Sequence, residues 1–519
     1  MKKIYLFFTI AIIAGLHSCE LVSEVYDNID SSIYPTSARD ARDLVTNSYS
    51  CFTNNGYNGL YNSATGVHLT GDMSTDIGYC SWGDACWPFM NWADFVKTET
   101  RNLTRTWGFL NNISKMTLNI DRIEKIDMDE GLKKQYIAEL QTGRGFLAFL
   151  VYDFHGPIVV ADLETLKKPQ DEVILPRLSE EETRAYIVNE LTAAINSKAL
   201  APNYEKGDAD YGRFTEGFCH MVLLKFYMQT KQWDKAIAEG RELMLPKYGY
   251  ELVTNKGAEN SAYANIFTQT NEKNVETIWA VNNMEGTQYH LWYPHVMPAS
   301  IRSSAQGTYS GGWGGYKITW DFFETFEPGD ERTQVIISEF LSNDKDPNDN
   351  YITYNKDNKG PGSALQDGVI PLKYKIEPSN VGDHCVTDWI VYRYADALTL
   401  LAEAIVHSGN AVTPEAVELL NKVRTRAGLE GYKTSDFTNA EDFIDKLLWE
   451  RAHELWFEGC RRQDLIRNNQ YVKVMKEKCT RYGRTDSRIF QQGENFHLYP
   501  LPESIEIQSK GLIKNNPGY

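Results

Sequence analysis

Apolar positions repeat with a helical period over much of the chain. In 213–230, Phe214, Phe218, Met221 and Val222 fall on one stripe, the spacing of an amphipathic helix. After Lys231-Gln232 the stripe restarts through Trp233, Ala236, Ile237, Gly240, Leu243 and Met244, and its small residues admit a close neighbour. Such a pair spans about 33 residues, the length of a tetratricopeptide unit. A second pair is predicted over 389–427. Its first helix carries Val391, Tyr394, Ala395, Leu398, Leu401, Ala402 and Ile405, and Gly409-Asn410 breaks it. Thr413-Pro414 restarts it as N-cap and first helical residue. Val417, Leu420 and Val423 continue the stripe until Gly428 stops it. Further helices are predicted over 37–50, 101–126, 130–152, 179–197 and 440–459. From about 250 to 385 the period is lost. Gly, Asn, Asp, Pro and Tyr are dense there, with short strand-like runs such as Thr277–Val281.

The pattern predicts a mainly α fold, with tetratricopeptide-like helix pairs as a scaffold and a loop-rich insertion containing short strands. The expected divisions are a leader at 1–18, a helical part at 19–250 with an aromatic loop at 72–95, the insertion at 251–388, and a second helical part at 389–519. Long irregular segments on a rigid scaffold commonly carry function.

Two stretches in those segments stand out. Residues 79–92 read YCSWGDACWPFMNW, tryptophans set among loop formers. GTYSGGWGGYKITW, ending at Trp320, sets aromatics among glycines. Both suit the display of flat rings. The candidates are Trp82, Trp87 and Trp92, with Asp72 and Asp76 nearby, and Trp292, Tyr309, Trp313 and Tyr316 in the second region. Trp82 and Trp313 are the favoured pair. A small hydrophobic plug under the loop is the competing expectation, with Trp92 its first member.

Charge narrows the partners. The 519 residues carry a formal net charge of -17, which repels phosphate backbones, so nucleic acid is not an expected partner. At the start, Lys2 and Lys3 precede an apolar run over 4–16 and then Leu16-His17-Ser18-Cys19. A charged start and a short apolar run describe a secretory leader. Leu-x-Ser-Cys resembles a bacterial lipobox, which makes Cys19 the expected lipidated residue. Cys80 and Cys86 are close enough in sequence to bridge, and a disulfide between them is left open.

Several motifs together resemble one family. They are VYRYADALTLLAEA at 391–404, LLNKVRTRAGL at 419–429, ERAHELWFEGCRRQDLIR at 450–467, FEPGDERT at 326–333 and the ending LYPLPESIEIQSKGLIKNNPGY. With the lipobox they look like the SusD/RagB family of Bacteroidetes outer-membrane lipoproteins. Trp456 stands where smaller apolar residues are usual, and the PLPESIEI spacing is one residue longer. The resemblance implies surface capture of an oligo- or polysaccharide and its delivery to a SusC-like TonB-dependent transporter. It implies a lipid (palmitate-bearing) anchor in the outer membrane, and no catalysis. Glu450, Arg451, Glu454, Glu458 and Arg461 are expected to form i, i+4 ion pairs that hold the scaffold.

Three alternatives remain at the sequence level. A RagB-like peptide or glycoprotein ligand would suit rim aromatics equally. A glycoside hydrolase would need two placed carboxylates, which any acidic chain can offer, and no HExxH, GxSxG or Walker motif is present. Asp344-x-Asp346-x-Asn348 resembles the start of a calcium loop, but Asp349 stands at the glycine position and Asn355 at the terminal acidic one. No cofactor is expected, calcium at that turn being the sole candidate, and the histidines show no metal spacing.

Overall fold

The computed structural model describes residues 34–53, 60–61, 66–84, 86–98, 103–205, 207–302, 312–380, 382–493 and 496–519. Cys19 and the leader lie outside them. The fold is mainly helical, 48% helix and 8% strand, as the periodicity predicts.

Among the described residues, six of the nine long helices begin at a side-chain cap. The nine are α1 (Ala38–Tyr49), α2 (Leu110–Glu124), α3 (Glu130–His155), α4 (Glu180–Asn196), α5 (Glu216–Gln229), α6 (Trp233–Leu243), α7 (Tyr394–Gly409), α8 (Pro414–Arg426) and α9 (Ala440–Leu455). Ser37 and Ser179 form capping boxes with Asp40 and Glu182. Thr215, Thr413 and Asn439 cap α5, α8 and α9 through their side chains. The expected helix at 101–126 is two pieces, Leu103–Gly108 and α2, broken at Phe109. Two further helices were not predicted: α10 (Arg461–Arg467), which is short and charged, and α11 (Tyr471–Arg481), whose stripe is Tyr471, Val472, Met475 and Cys479. Packing runs in sequence order: α3 against α2 and α4, α5 against α6, α6 against α7, and α7 against α8 and α9. A Cβ on Gly240 would stand 3.0 Å from that of Leu401, so the small residue of the α6 stripe sets the α6–α7 approach.

The described strands pair two by two, all antiparallel. β1 (Gly78–Cys80) pairs with β3 (Tyr316–Ile318), and β2 (Thr277–Val281) with β8 (Trp389–Arg393). β4 (Ile336–Ile337) pairs with β7 (Ile370–Pro371), and β5 (Phe340–Lys345) with β6 (Tyr351–Tyr354). The β2–β8 ribbon joins the central stretch to the start of α7.

At that junction the core is ionic. Arg393 is fully buried and donates to Glu276 (2.7 Å), to Glu458 (2.7 and 2.8 Å) and to Glu454. Arg426 donates to Glu276 (2.9 Å) and Glu454. Arg332 grips Asp330 and reaches Glu450 at 2.6 Å. Lys373 donates to Glu458 at 2.7 Å. The expected i, i+4 pairs within the ERAHELWFEGCRR segment are therefore corrected. Its charges are buried and pair with residues far away in sequence: Arg451 with Asp396 and Asp464, and Arg461 with Asp76. Burial penalises a carboxylate, yet Arg426, Arg393 and Arg332 hold Glu454 well below its ordinary range. Lys225 and Arg451 do the same for Asp396.

Removing one member of such a set leaves the others buried with their charge only partly compensated. Arg393→Met is expected to lower stability in urea by about 3–5 kcal/mol. The depressed carboxylates also fix a pH dependence. Below the ordinary values of 4.5 for Glu454 and 3.8 for Asp396 the unfolded chain binds protons that the folded one resists. Stability is fully present above that range and is lost as pH falls toward the lower native values. Arg393→Met should flatten this acid limb in urea melts between pH 3 and 6.

Candidate functional site

The site is built from the C-terminal helices outward. Asp72 lies fully buried in the short helix Val67–Met73. Its carboxylate accepts from the backbone N–H of Gly459 (2.9 Å) and of Arg461 (3.0 Å). Burial pushes its carboxyl up to about 7, against those two donors. Asp76 accepts from Arg461 at 2.9 and 2.7 Å. Burial pushes Asp76 up, but the guanidinium prevails and holds it below its ordinary value. Lys478 on α11 donates to the carbonyls of Thr75 (2.6 Å) and Gly78 (2.8 Å). Gly459 has φ +77, and a Cβ there would meet the Cα of His68 at 3.0 Å, so the turn after α9 seats directly on this helix. Asp72 and Asp76, expected beside a ligand, are thus anchors that fix the start of β1.

From that anchor β1 runs antiparallel to β3, with Cys80 opposite Tyr316. The pairing brings the loop after Cys80 onto the glycine-rich segment before Tyr316. Ser81 N–H donates to Gly315 O at 2.8 Å, and Trp82 Nε1–H to Trp313 O at 3.3 Å. A Cβ on Gly315 would fall 2.2 Å from the Trp82 ring, and Gly314 has φ +61. Only glycines let the indole lie on this backbone. Trp313 N–H donates to Pro294 O at 2.6 Å.

The rings then form a graded column. Trp87 and Trp292 pack on Tyr316 with centroids 5.2 and 6.3 Å away. His295 lies parallel to Tyr316 at 4.9 Å and edge-on to Trp313 at 4.9 Å. Trp82 touches both, 5.5 Å from His295 and 5.2 Å from Tyr316. Burial lowers His295 to about 4, so the imidazole inside the column is neutral at pH 7. The column starts in the core and ends at Trp313, 39% exposed, beside the half-buried Trp82.

Four predicted platform residues are corrected by their burial. Trp87, Trp92, Trp292 and Tyr316 are 2%, 6%, 1% and 0% exposed. The cause is that the loop folds back. Asn91 accepts from Cys80 N–H and donates to Cys80 O, both at 2.8 Å. This draws the short helix Trp87–Asn91 over β1 and seats its indoles in the core. Trp92 is covered by Tyr79 and Tyr482 at 5.6 Å each. Tyr309 lies outside the described residues. Cys80 and Cys86 are both buried. In the acidic turn between β5 and β6, Asp346 accepts from the N–H groups of Asn348 and Asn350, and Asp344 from Tyr354 and Ser342.

Two exposed rings among the described residues were missed, Tyr351 and Trp449. Trp449 on α9 is 40% exposed, with the Arg461 guanidinium 4.8 Å from its centroid. It borders a hollow of about 580 Å³ with Phe322, Asp321, Lys473 and Arg481. The signal was present, because Trp449 falls off the Ile444–Leu447–Leu448 stripe and so faces outward. Another hollow, of about 560 Å³, is lined by Tyr49, Phe52, Tyr211, Trp279 and Asp388, away from both exposed tryptophans.

The helix-hairpin scaffold thus carries an aromatic patch on its loop-rich face. None of the described helices is long and apolar enough to cross a membrane. The SusD family model (SusD_RagB) matches residues 275–519. SusD-like protein P38 of Formosa agariphila is 37% identical over 124 residues, which is 22% of this chain and 23% of that protein. The match thus spans about a quarter of that relative's length. The fold extends further. A SusD homolog from Bacteroides thetaiotaomicron superposes with a TM-score of 0.74 at 20% identity, covering 94% of this chain and 98% of that one. A SusD superfamily protein from Parabacteroides distasonis gives 0.72 at 18%, covering 95% and 100%. Surface glycan-binding protein A from B. thetaiotaomicron, solved with laminarihexaose, gives 0.73 at 20%, covering 93% and 100%. Residues 275–519 thus match the SusD family, and the chain as a whole shares the fold of these solved structures.

The column separates two kinds of tryptophan. Trp87→Ala and Trp292→Ala should each lower stability by about 3–5 kcal/mol through the cavity they leave. Trp313→Ala should stay within about 0.5 kcal/mol of the parent, as surface changes do. Urea unfolding of the three variants checks this.

Proposed function

We propose that this protein captures a glycan at the cell surface through the patch headed by Trp313 and Trp82 and delivers it to a SusC-like TonB-dependent transporter, without chemistry of its own. One observation carries the reading: two indoles brought together from opposite loops, one open to solvent, on a backbone fixed by buried ion pairs. Sugar rings present apolar C–H faces that stack on indole, and a rigid ring loses little entropy on binding. The solved relative bound to laminarihexaose supports an oligosaccharide as ligand. The family resemblance and the lipobox support delivery to a transporter and anchorage in the outer membrane through lipid on Cys19. A tether to the barrel would compensate modest affinity by raising effective concentration.

A glycan array that includes laminarin oligosaccharides, run beside an oligopeptide panel, tests the ligand class. Trp313→Ala should weaken the glycan found by about 1 kcal/mol or more, the worth of an aromatic contact, with the melting temperature kept. Binding confined to peptides, or a Trp82→Ala, Trp313→Ala double variant with parent affinity, would overturn the reading. For the anchor, Cys19→Ala should abolish palmitate labelling, and label retained on that variant would refute it.

A further inference from the structure

The hairpin of α5 and α6 carries a second set of convergent ligand atoms, away from the aromatic patch. Glu216 and His220 lie one turn apart on α5, and Glu242 faces them from the end of α6. A carboxylate oxygen from each glutamate and a ring nitrogen of His220 all lie within 4.8 Å of one another. Glu239, also on α6, lies 2.6 Å from His220 Nδ1. Glu239 accepts from Nδ1–H, which leaves Nε2 as the ring atom that could ligate. Nε2 is buried and has no hydrogen-bond partner, in a residue only 9% exposed. Glu216 Oε1 stands 3.7 Å from it.

A lone pair beside two carboxylates calls for a cation. Lys247 supplies one in part. Its ammonium lies 2.9 Å from Glu216 Oε1 and 2.9 Å from Glu242 Oε1, with Tyr248 Oη 3.1 and 3.2 Å from the same oxygens. An ammonium satisfies the carboxylates and leaves Nε2 unused. It also comes from a side chain that is 43% exposed and free to swing outward. A divalent ion would engage all three groups at once.

We propose that Glu216, His220 and Glu242 form a binding site for a divalent transition ion of the zinc class. Glu239 orients the imidazole from behind, and Lys247 is the cation the metal displaces. One imidazole and two carboxylates, with a position left open, is a zinc-type ligand set. A neutral imidazole nitrogen disfavours calcium and magnesium, which take oxygen. A carboxylate accepting the other ring N–H is the usual companion of a ligating histidine. The bound ion would pin α5 to α6, two helices whose hairpin passes from the N-terminal layer to α7.

Isothermal titration of the untagged chain with ZnCl2 tests the site, with CaCl2 as the control. The parent should bind one zinc and no calcium, and its melting temperature should rise with zinc. Lys247→Met should bind zinc more tightly, because the resident cation is gone. Glu239→Gln should weaken binding about 10–100-fold, the usual effect of an orienting partner. His220→Gln should abolish saturable binding and the thermal shift, its melt without zinc showing that it folds. If it does not fold, Glu242→Gln carries the same test. Saturable zinc binding unchanged in His220→Gln or Glu242→Gln, or none in both the parent and Lys247→Met, would overturn the site.

Discussion

The buried set of charges around Arg393 and Glu454 lets stretches of chain far apart in sequence act as one body. Glu276 enters from the edge of β2, Arg332 and Lys373 from the central stretch, and Arg426, Glu454 and Glu458 from α8, α9 and the turn beyond. Charges this deep cost desolvation that only matched, hydrogen-bonded partners offset. The set closes only when every contributor is in place. Its contribution is therefore to specify one arrangement more than to add stability, and this is why a loop-rich segment can hold a defined shape between two helical layers.

The aromatic patch inherits that definition. The turn after α9 leaves the charged centre at Glu458 and within three residues presents two backbone N–H groups to Asp72 and a guanidinium to Asp76. Lys478 adds a third hold on the start of β1. β1 then fixes β3, and the β1–β3 pairing sets Trp82 against Gly315 and under Trp313. A patch made of two loops thus has its position set by ion pairs in the core, with neutral His295 as the spacer between buried and exposed rings.

The sequence made the helices legible, because the apolar period runs through them and six of the nine long ones described start at a side-chain cap. It also made the favoured pair of rings legible, since the glycines around Trp313 and the loop formers around Trp82 mark backbones that can approach an indole closely. It did not reveal which other rings were covered. Trp87, Trp92 and Tyr316 sit in the same loop-like context, and only Asn91 closing on Cys80 and the β1–β3 register bury them, both of them contacts that composition does not encode. Asp72, Asp76 and the ERAHELWFEGCRR charges were misassigned for a related reason. Local spacing suggested pairs within a helix or at a rim, whereas their partners come from other elements, from 13 residues away (Arg451–Asp464) to 385 (Arg461–Asp76). The Glu216–His220 spacing was visible as one helical turn, but its third member, Glu242, comes from the next helix.

The central claim is that sugar is held at the Trp82–Trp313 end of the ring column. Fluorine NMR of the chain labelled with 5-fluorotryptophan reports each of its 12 tryptophans separately, assigned by single substitutions. On titration with an oligosaccharide selected by the array, the resonances of Trp313 and Trp82 should shift together with one saturation curve, while Trp449 and Trp389 stay fixed. A saturating shift confined to Trp449, with Trp313 and Trp82 unmoved, would contradict the account.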